Sequence, residues 1–174
     1  MIEQSFIEEQ NKLPELLIKL AEGATMPSKA NDTDTGYDLT ATEISYNEEY
    51  GFLEYSTGVF MDIPKGYEVK IYPRSSISKY DLFLCNGVGV IDEDYKLEVK
   101  FRFKTTFDYD FAFLDLDNDL ILNREGINTD IWPNIYRIGD KIGQFEMKKK
   151  DLYTVKQVDS INESQRQGFG STGF

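Results

Sequence analysis

Apolar residues recur at every second position in short runs along this chain, and turn-forming clusters separate the runs at close spacing. That period belongs to strands with one face buried. The clearest case is YKLEVKFRFKT (95–105), where Val99, Phe101 and Phe103 alternate with Lys100, Arg102 and Lys104. DIPKGYEVKIYP (62–73) reads as a turn and then a strand with Val69 and Ile71 on one face and Lys70 and Tyr72 on the other. ELLIKLAEG (15–23) predicts a first strand. Leu39 to Ile44 and Gly51 to Met61 predict two more around the turn YNEEYG. LFLCNGVGVID (82–92) is a strand running into a glycine hairpin. RIGDKIGQFEMKKKDLYTVKQV (137–158) gives a turn and two last strands.

The exceptions to this pattern are local. Residues 1–14 are polar and acidic, with weak helical spacing at Phe6, Ile7 and Leu13 before Pro14 closes the stretch. PSKANDTDTGYD (27–38) is a turn-rich loop. RSSISKYD (74–81) suits a short helix capped by Ser75 or Ser76. Residues 105–136 are acidic, aromatic and irregular, and predict an extra hairpin or lobe with DND (117–119) as one turn and REGIN (124–128) as another. Many short strands with frequent turns point to an all-β fold, a barrel or jelly roll. At 174 residues the chain is one domain. There is no internal repeat.

Composition narrows the chemistry. The net charge of −12 argues against general binding to nucleic acid or to anionic membrane. No apolar run reaches the ~20 residues needed to span a membrane, and the acidic start is unlike a signal peptide. A reducing, cytoplasmic setting is the expectation. With no His and one Cys, neither a Ser–His–Asp triad nor a His/Cys zinc site can be built. Any general base is Asp, Glu, Lys or Tyr. Cys85, in the apolar run DLFLC, is expected to be a buried filler.

Five segments carry candidate chemistry. TDTGYDL (33–39) sets two carboxylates around a glycine, and YPRSS (72–76) sets an arginine fork beside two hydroxyls. NGVGVIDEDY (86–95) joins a glycine hairpin to an acidic turn, and RIGDKIGQ (137–144) joins a glycine turn to a lysine and an amide. The fifth is the terminal RQGFGSTGF (166–174). Each alone also fits an ordinary turn, cap or frayed end. Together they describe a nucleoside triphosphate site without a P-loop. An arginine and hydroxyls suit phosphate oxygens, and a hairpin backbone approaches a flat base closely. Asn86 presents both a donor and an acceptor to a pyrimidine edge, and a carboxylate can activate water. A phenylalanine in the tail can stack on a base, and Ser171, Thr172 and glycine N–H groups can hold a terminal phosphate.

The five segments, in this order from Ala30 to Gly173, resemble the five motifs of the trimeric deoxyuridine triphosphatases (dUTPases): AxxxDTGYDL, PRSS, NGVGVIDEDY, RIGDKIGQ and GFGSTG. The resemblance implies a distorted jelly roll that hydrolyses dUTP to dUMP and pyrophosphate by in-line attack of water on the α-phosphorus. It implies Asp92 as general base. It implies that Asn86 and the backbone of Gly87, Val88, Gly89 and Val90 read uracil, and that Tyr95 lies under the deoxyribose and excludes a 2′-hydroxyl. Arg74, Ser75, Ser76 and Gln144 would hold phosphates. Asp38 would support the water shell of a Mg²⁺ chelated mainly by the triphosphate. Phe169 would cover the base, with Gly170, Ser171 and Thr172 at the γ-phosphate and Arg166 as the cation of the lid. In the family the tail serves a neighbouring subunit's site, so the resemblance implies a homotrimer.

The sequence departs from the family pattern in three places. Ser164 stands where the lid arginine is usual, and Arg166 comes three residues before Phe169. Leu97 replaces a glycine after the motif tyrosine. The 41 residues between Tyr95 and Arg137 exceed the usual spacing. The chain therefore divides into an extension (1–14), the domain proper, an insert (105–136) and a C-terminal lid (164–174). The insert reads either as surface decoration or as a docking arm for a protein partner, and such segments occur in phage members of the family. Two other functions fit the same motifs less well. One is dCTP deaminase, or a bifunctional deaminase–dUTPase, on the same fold. The other is a regulatory dUTP- or repressor-binding protein with little turnover.

Overall fold

The computed structural model describes residues 13–106 and 134–162, together with the backbone of residues 114–115 and 120–121. The fold is all-β and every strand pair is antiparallel. The strands are β1 (Leu17–Leu20), β2 (Tyr37–Thr40), β3 (Glu43–Asn47), β4 (Phe52–Asp62), β5 (Tyr67–Tyr72), β6 (Leu82–Leu84), β7 (Gly89–Ile91), β8 (Glu98–Thr105), β9 (Leu114–Asp115), β10 (Leu120–Ile121) and β11 (Lys141–Lys149).

One sheet runs β1-β4-β8-β6, and β3 shares the β1 edge of the long central strand β4. The second sheet runs β2-β11-β5-β7. Their inner faces make one core. Leu53, Tyr55, Val59, Met61, Val99, Phe101, Phe103, Leu82 and Leu84 come from the first sheet, and Leu39, Val69, Ile71, Ile91, Ile142 and Phe145 from the second. The sheets meet so closely that a Cβ on Gly143 of β11 would overlap the ring of Phe101 on β8. Only a residue without a side chain fits there.

The alternation in β8 is as the sequence reads: Val99, Phe101 and Phe103 are buried, and Lys100, Arg102 and Lys104 face outward. β4 departs from regular pairing between Ser56 and Phe60. There the Glu98 carboxylate accepts the N–H groups of Thr57 (3.1 Å) and Gly58 (2.7 Å), which the irregular ladder leaves over.

Four expectations need correction. Leu39 to Ile44 is not one strand. β2 ends at Thr40 in the second sheet and β3 starts at Glu43 in the first, because the chain changes sheets. Ala41 N–H is taken by Asp140 O and Thr42 N–H by Ser56 O, one on each side of the change. The turn at Ser75–Lys79 is a 3₁₀ helix. Arg74, not Ser75 or Ser76, is its N-cap, and no side chain caps it. Only one last strand forms. Beyond Lys149 the chain has no regular secondary structure, residues 151–162 are exposed, and Leu152, Tyr153, Val155 and Ile161 are each more than 80% exposed. Cys85 is exposed, since alternation along β6 turns Leu82 and Leu84 inward and leaves Phe83 and Cys85 outside. The hairpin expected around DND is present in the backbone, where β9 pairs with β10. REGIN lies outside the described residues, as do residues 1–12.

Candidate functional site

The phosphate-type residues converge on the second sheet. In register across β2, β11 and β5 stand Asp38, Gln144 and Tyr72, so all three share one face. With Arg74 and Ser75 from the following turn, they line a cleft of about 420 Å³ that also includes Ala30, Asp34, Gly36 and Glu146. Gly36 of the TDTGYDL motif is required by this arrangement. A Cβ there would lie 2.6 Å from Gln144 Oε1 and 3.1 Å from its Cβ, so a side chain at 36 would evict the amide.

Asp38 is buried and takes two cations. Arg74 Nε lies 2.8 Å from Oδ1 and Lys141 Nζ 2.9 Å from Oδ2. One of the five guanidinium donors of Arg74 is thus spent on orientation, and the rest of the fork is left for an oxyanion. Opposite, the Tyr72 hydroxyl donates to Glu146 Oε1 (2.6 Å), and Lys148 Nζ pairs with the same oxygen (2.7 Å). The bonds from Lys148 and Tyr72 hold the Glu146 carboxyl below its ordinary range. The cleft therefore carries three carboxylates, Asp34, Asp38 and Glu146, against few cations.

The nucleoside-type residues form a second cleft, of about 440 Å³, lined by Ile71, Leu84, Cys85, Asn86, Tyr95, Lys100 and Arg102. The hairpin that starts it turns at Gly87 (φ +64°), with Val88 N–H donating to Asn86 O (2.6 Å). Gly89 is buried against Ile71, where a Cβ would overlap the isoleucine side chain. Val88 and Val90 are exposed. After the hairpin, Tyr95 N–H donates to Asp92 O (3.1 Å) and the Tyr95 hydroxyl to Glu98 O (3.0 Å). This turn holds Asp92 exposed at the head of the acidic loop. Leu97, in the position of the usual glycine, is exposed and precedes β8, which starts at Glu98.

Asp38, Arg74, Ser75 and Gln144 thus meet in one cleft and Asn86 and Tyr95 in another. Asp92 lines neither, and the Ser76 hydroxyl is buried away from the phosphate-type cleft. Arg166, Phe169, Gly170, Ser171 and Thr172 lie outside the described residues. Sequence reasoning gave no role to Tyr72 and Glu146, which line the first cleft, to Lys141, which pairs with Asp38, or to Lys100 and Arg102 in the second cleft. Lys100 and Arg102 both bond Glu54 across the sheet (2.9 and 2.8 Å). The outward basic stripe of β8 was the available signal for them.

The sequence profile of the dUTPase family matches residues 22–113. The chain belongs to the dUTPase family. A Finegoldia magna deoxyuridine 5'-triphosphate nucleotidohydrolase is 33% identical over 121 residues, 68% of each chain. The fold is shared with solved dUTPases. One is that of Staphylococcus bacteriophage 80alpha with dUPNHPP, at a TM-score of 0.64 and 24% identity over 92% of this chain and 99% of that one. Another is that of phage phi11 of S. aureus, in which a structural Mg(II) ion is coordinated, at a TM-score of 0.57 and 23% identity over 84% and 97%. These likenesses agree with the jelly roll expected from the motifs and with the resemblance to phage members.

Proposed function

We propose that this dUTPase hydrolyses dUTP to dUMP and pyrophosphate by attack of a water at the α-phosphorus, with Asp92 as the base. The observation that carries the proposal is the convergence of Asp38, Arg74, Ser75 and Gln144 on one cleft, with Asn86 and Tyr95 on a second. Arg74 and Ser75 bind phosphate oxygens, and Gln144 donates from its amide. Asn86 and the hairpin of Gly87 to Val90 read the base, and Tyr95 covers the sugar. Asp92, exposed at the head of the acidic loop, orients the water.

A triphosphate brings its own excess of negative charge to a cleft that already holds three carboxylates. Oxygen-rich surroundings with no protein cage suit Mg²⁺, which keeps its waters and binds substrate phosphates plus one or two carboxylates. Among the described residues, no group of three or more acidic, Cys or His side chains could hold a metal unaided. Asp38 and Asp34 are the carboxylates placed to take such an ion through water. When bound, the ion neutralises charge that develops on the phosphates.

The two clefts and the exposed arm support a homotrimer. The apolar residues of 151–162 are exposed in the described structure, so another copy is the natural place for them to be buried. An arm that leaves the fold in this way also carries the tail, with Arg166, Phe169, Gly170, Ser171 and Thr172, to a neighbour's nucleotide. Residues 105–136 remain the proposed arm for a protein partner.

The test is to incubate the protein with Mg²⁺ and, separately, dUTP, dCTP, dTTP and UTP, then assay pyrophosphate and the nucleoside product. Pyrophosphate from dUTP alone is expected. Asp92→Asn should lose roughly 3 kcal/mol of transition-state stabilisation while still binding nucleotide. Uracil product from dCTP would move the protein to the deaminase reading. Binding of dUTP without turnover would make it a regulatory protein.

A further inference from the structure

The acidic turn IDEDY puts three carboxylates side by side, Asp92, Glu93 and Asp94, and the fold gives them different surroundings. Asp92 and Asp94 are exposed, whereas Glu93 is the one residue of 92–97, apart from none other, that is half-buried. Its carboxylate turns back onto the fold. Oε2 accepts the N–H of Gly66 (2.7 Å), and Lys150 Nζ lies 3.4 Å from the same oxygen. The Gly66 N–H holds the carboxyl below its ordinary range. Both members of the ion pair are about a third exposed, so that pair contributes little, while a carboxylate on a backbone N–H makes a charge-assisted bond.

The anchor itself is fixed. Gly66 closes the connection between β4 and β5, in a turn where Tyr67 N–H donates to Pro64 O (3.1 Å) and the glycine sits at φ +82°. Its carbonyl accepts the N–H of Lys150 (2.9 Å), the first residue after β11. A second tie reaches the other end of the same connection. Lys96 Nζ donates to Glu93 O (2.7 Å) and to Asp62 Oδ1 (2.6 Å), and Asp62 is the last residue of β4. Glu93 is thus fastened through its side chain and through its carbonyl.

On the other side of Asp92, Ile91 is buried and pairs with Val69 in the ladder between β7 and β5. Asp92 therefore projects into solvent from a backbone held at both neighbouring residues. An exposed carboxylate gains no orientation from packing of its own. Here the backbone supplies it, and a displacement of about 1 Å at a reacting group can cost on the order of 10²-fold in rate.

We infer that Glu93 is a positioning residue for Asp92: its carboxylate, seated on the Gly66 N–H, fixes the loop from which the base reaches the attacking water. Glu93 needs no contact with nucleotide for this. Tyr95, further along the loop, keeps its own tie to Glu98 O, so loss of the anchor should slow the chemical step and leave nucleotide binding nearly unchanged. This inference rests on the reading of Asp92 as the base, and its test tells the two apart.

The experiment compares wild type, Glu93→Gln, Glu93→Ala, Asp92→Asn and the double variant Asp92→Asn/Glu93→Ala. It reads kcat and KM for dUTP with Mg²⁺, and hydrogen exchange of residues 92–97. Glu93→Gln keeps an oxygen for the Gly66 N–H and drops the charge, whereas Glu93→Ala removes both. Glu93→Ala should lower kcat about tenfold with KM within about threefold of wild type, and should speed exchange of the loop. Glu93→Gln should recover most of that loss. In the Asp92→Asn background, Glu93→Ala should change kcat by less than about twofold, because a group that acts through the Asp92 carboxylate has nothing left to position. Wild-type kcat or wild-type exchange in Glu93→Ala overturns the inference. So does a rise in KM alone, an equal loss in Glu93→Gln and Glu93→Ala, or the full loss repeated on top of Asp92→Asn. Asp92→Asn as active as wild type, or a wild type that does not turn over dUTP, removes the base and the inference with it. A crippled Asp92→Asn beside a wild-type rate in Glu93→Ala removes the inference alone.

Discussion

Asp38→Asn puts the site's construction to the sharpest test. The wild-type carboxylate is 8% exposed and holds Arg74 and Lys141 at 2.8 and 2.9 Å. Charge-assisted bonds of this kind contribute about 1.5–3 kcal/mol each. The amide keeps one oxygen for Arg74 but turns an NH₂ toward the Lys141 ammonium, donor against donor. Arg74 and Lys141 are about a third or more exposed, so water takes up part of the loss. The net cost should be about 1–2 kcal/mol of stability, read by urea unfolding. The kinetic effect comes from the guanidinium. Nε on Asp38 fixes the plane of the fork, and a fork free to swing loses orientation toward the phosphates. A loss of about 1–2 kcal/mol in the transition state is a fall of roughly 5- to 30-fold in kcat/KM. Lys141→Met, which leaves Arg74 on Asp38, should cost stability with a smaller kinetic effect. Asp38→Asn with kcat/KM within twofold of wild type would refute the orienting role. A fall that excess Mg²⁺ restores would show instead that Asp38 acts through the ion.

Two further outcomes follow from particular contacts. Gly36→Ala should displace the Gln144 amide, because the new Cβ would lie 2.6 Å from its Oε1. KM for dUTP should rise several-fold while circular dichroism stays that of the wild type, and an unchanged KM would remove Gln144 from the phosphate contacts. Glu54 makes part of the stability acid-labile. Burial alone would raise its pKa, but the bonds from Lys100 and Arg102 outweigh burial and leave it below the ordinary value of 4.5. A depressed folded pKa gives stability that is present above the unfolded value and lost as pH falls through the folded one. Glu54→Gln should therefore be less stable than wild type at pH 7, and the difference should shrink as pH drops below about 4.5. A difference constant across that range would refute the linkage.

How much of this was legible depended on whether a feature was local. β8 could be read residue by residue, because period two and the in-out burial of Val99, Phe101 and Phe103 are the same fact. Four of the five motifs lie among the described residues, and two of them, around Arg74 and Asn86, are local turns whose shape depends on their own residues. What failed needed a partner from elsewhere in the chain. Residues 39–44 alternate from Leu39 to Thr42 and slip by one position at Glu43, and the slip alone does not say that the backbone leaves one sheet for the other. LYTVKQV alternates as well as β11 does, but alternation only describes a strand that has a neighbour. Here the described fold offers it none. Cys85 reads as filler because LFLC is apolar throughout, yet a three-residue edge strand still turns every second side chain outward. Lys141 sits inside the segment RIGDKIGQ, but its bond to Asp38 crosses between strands about a hundred residues apart in sequence.

Charge gives these pieces a common logic. A protein of net charge −12 that meets a polyanion at a cleft carrying Asp34, Asp38 and Glu146 has not built an attractive site in its free state. Asp38 and Glu146 are already engaged by cations of the same chain, and Arg74 is tied to Asp38 before any substrate arrives. On the proposed reading, the missing positive charge comes with the substrate as Mg²⁺ and from another copy as the cation of its tail. The cleft then favours only an anion that carries a divalent ion and is long enough to reach a lid. Free phosphate and nucleoside monophosphate meet neither condition. On that reading, a site left short of charge on its own subunit would select the triphosphate and release dUMP and pyrophosphate once they separate. This is a reason for an acidic enzyme to handle so acidic a substrate with so few cations.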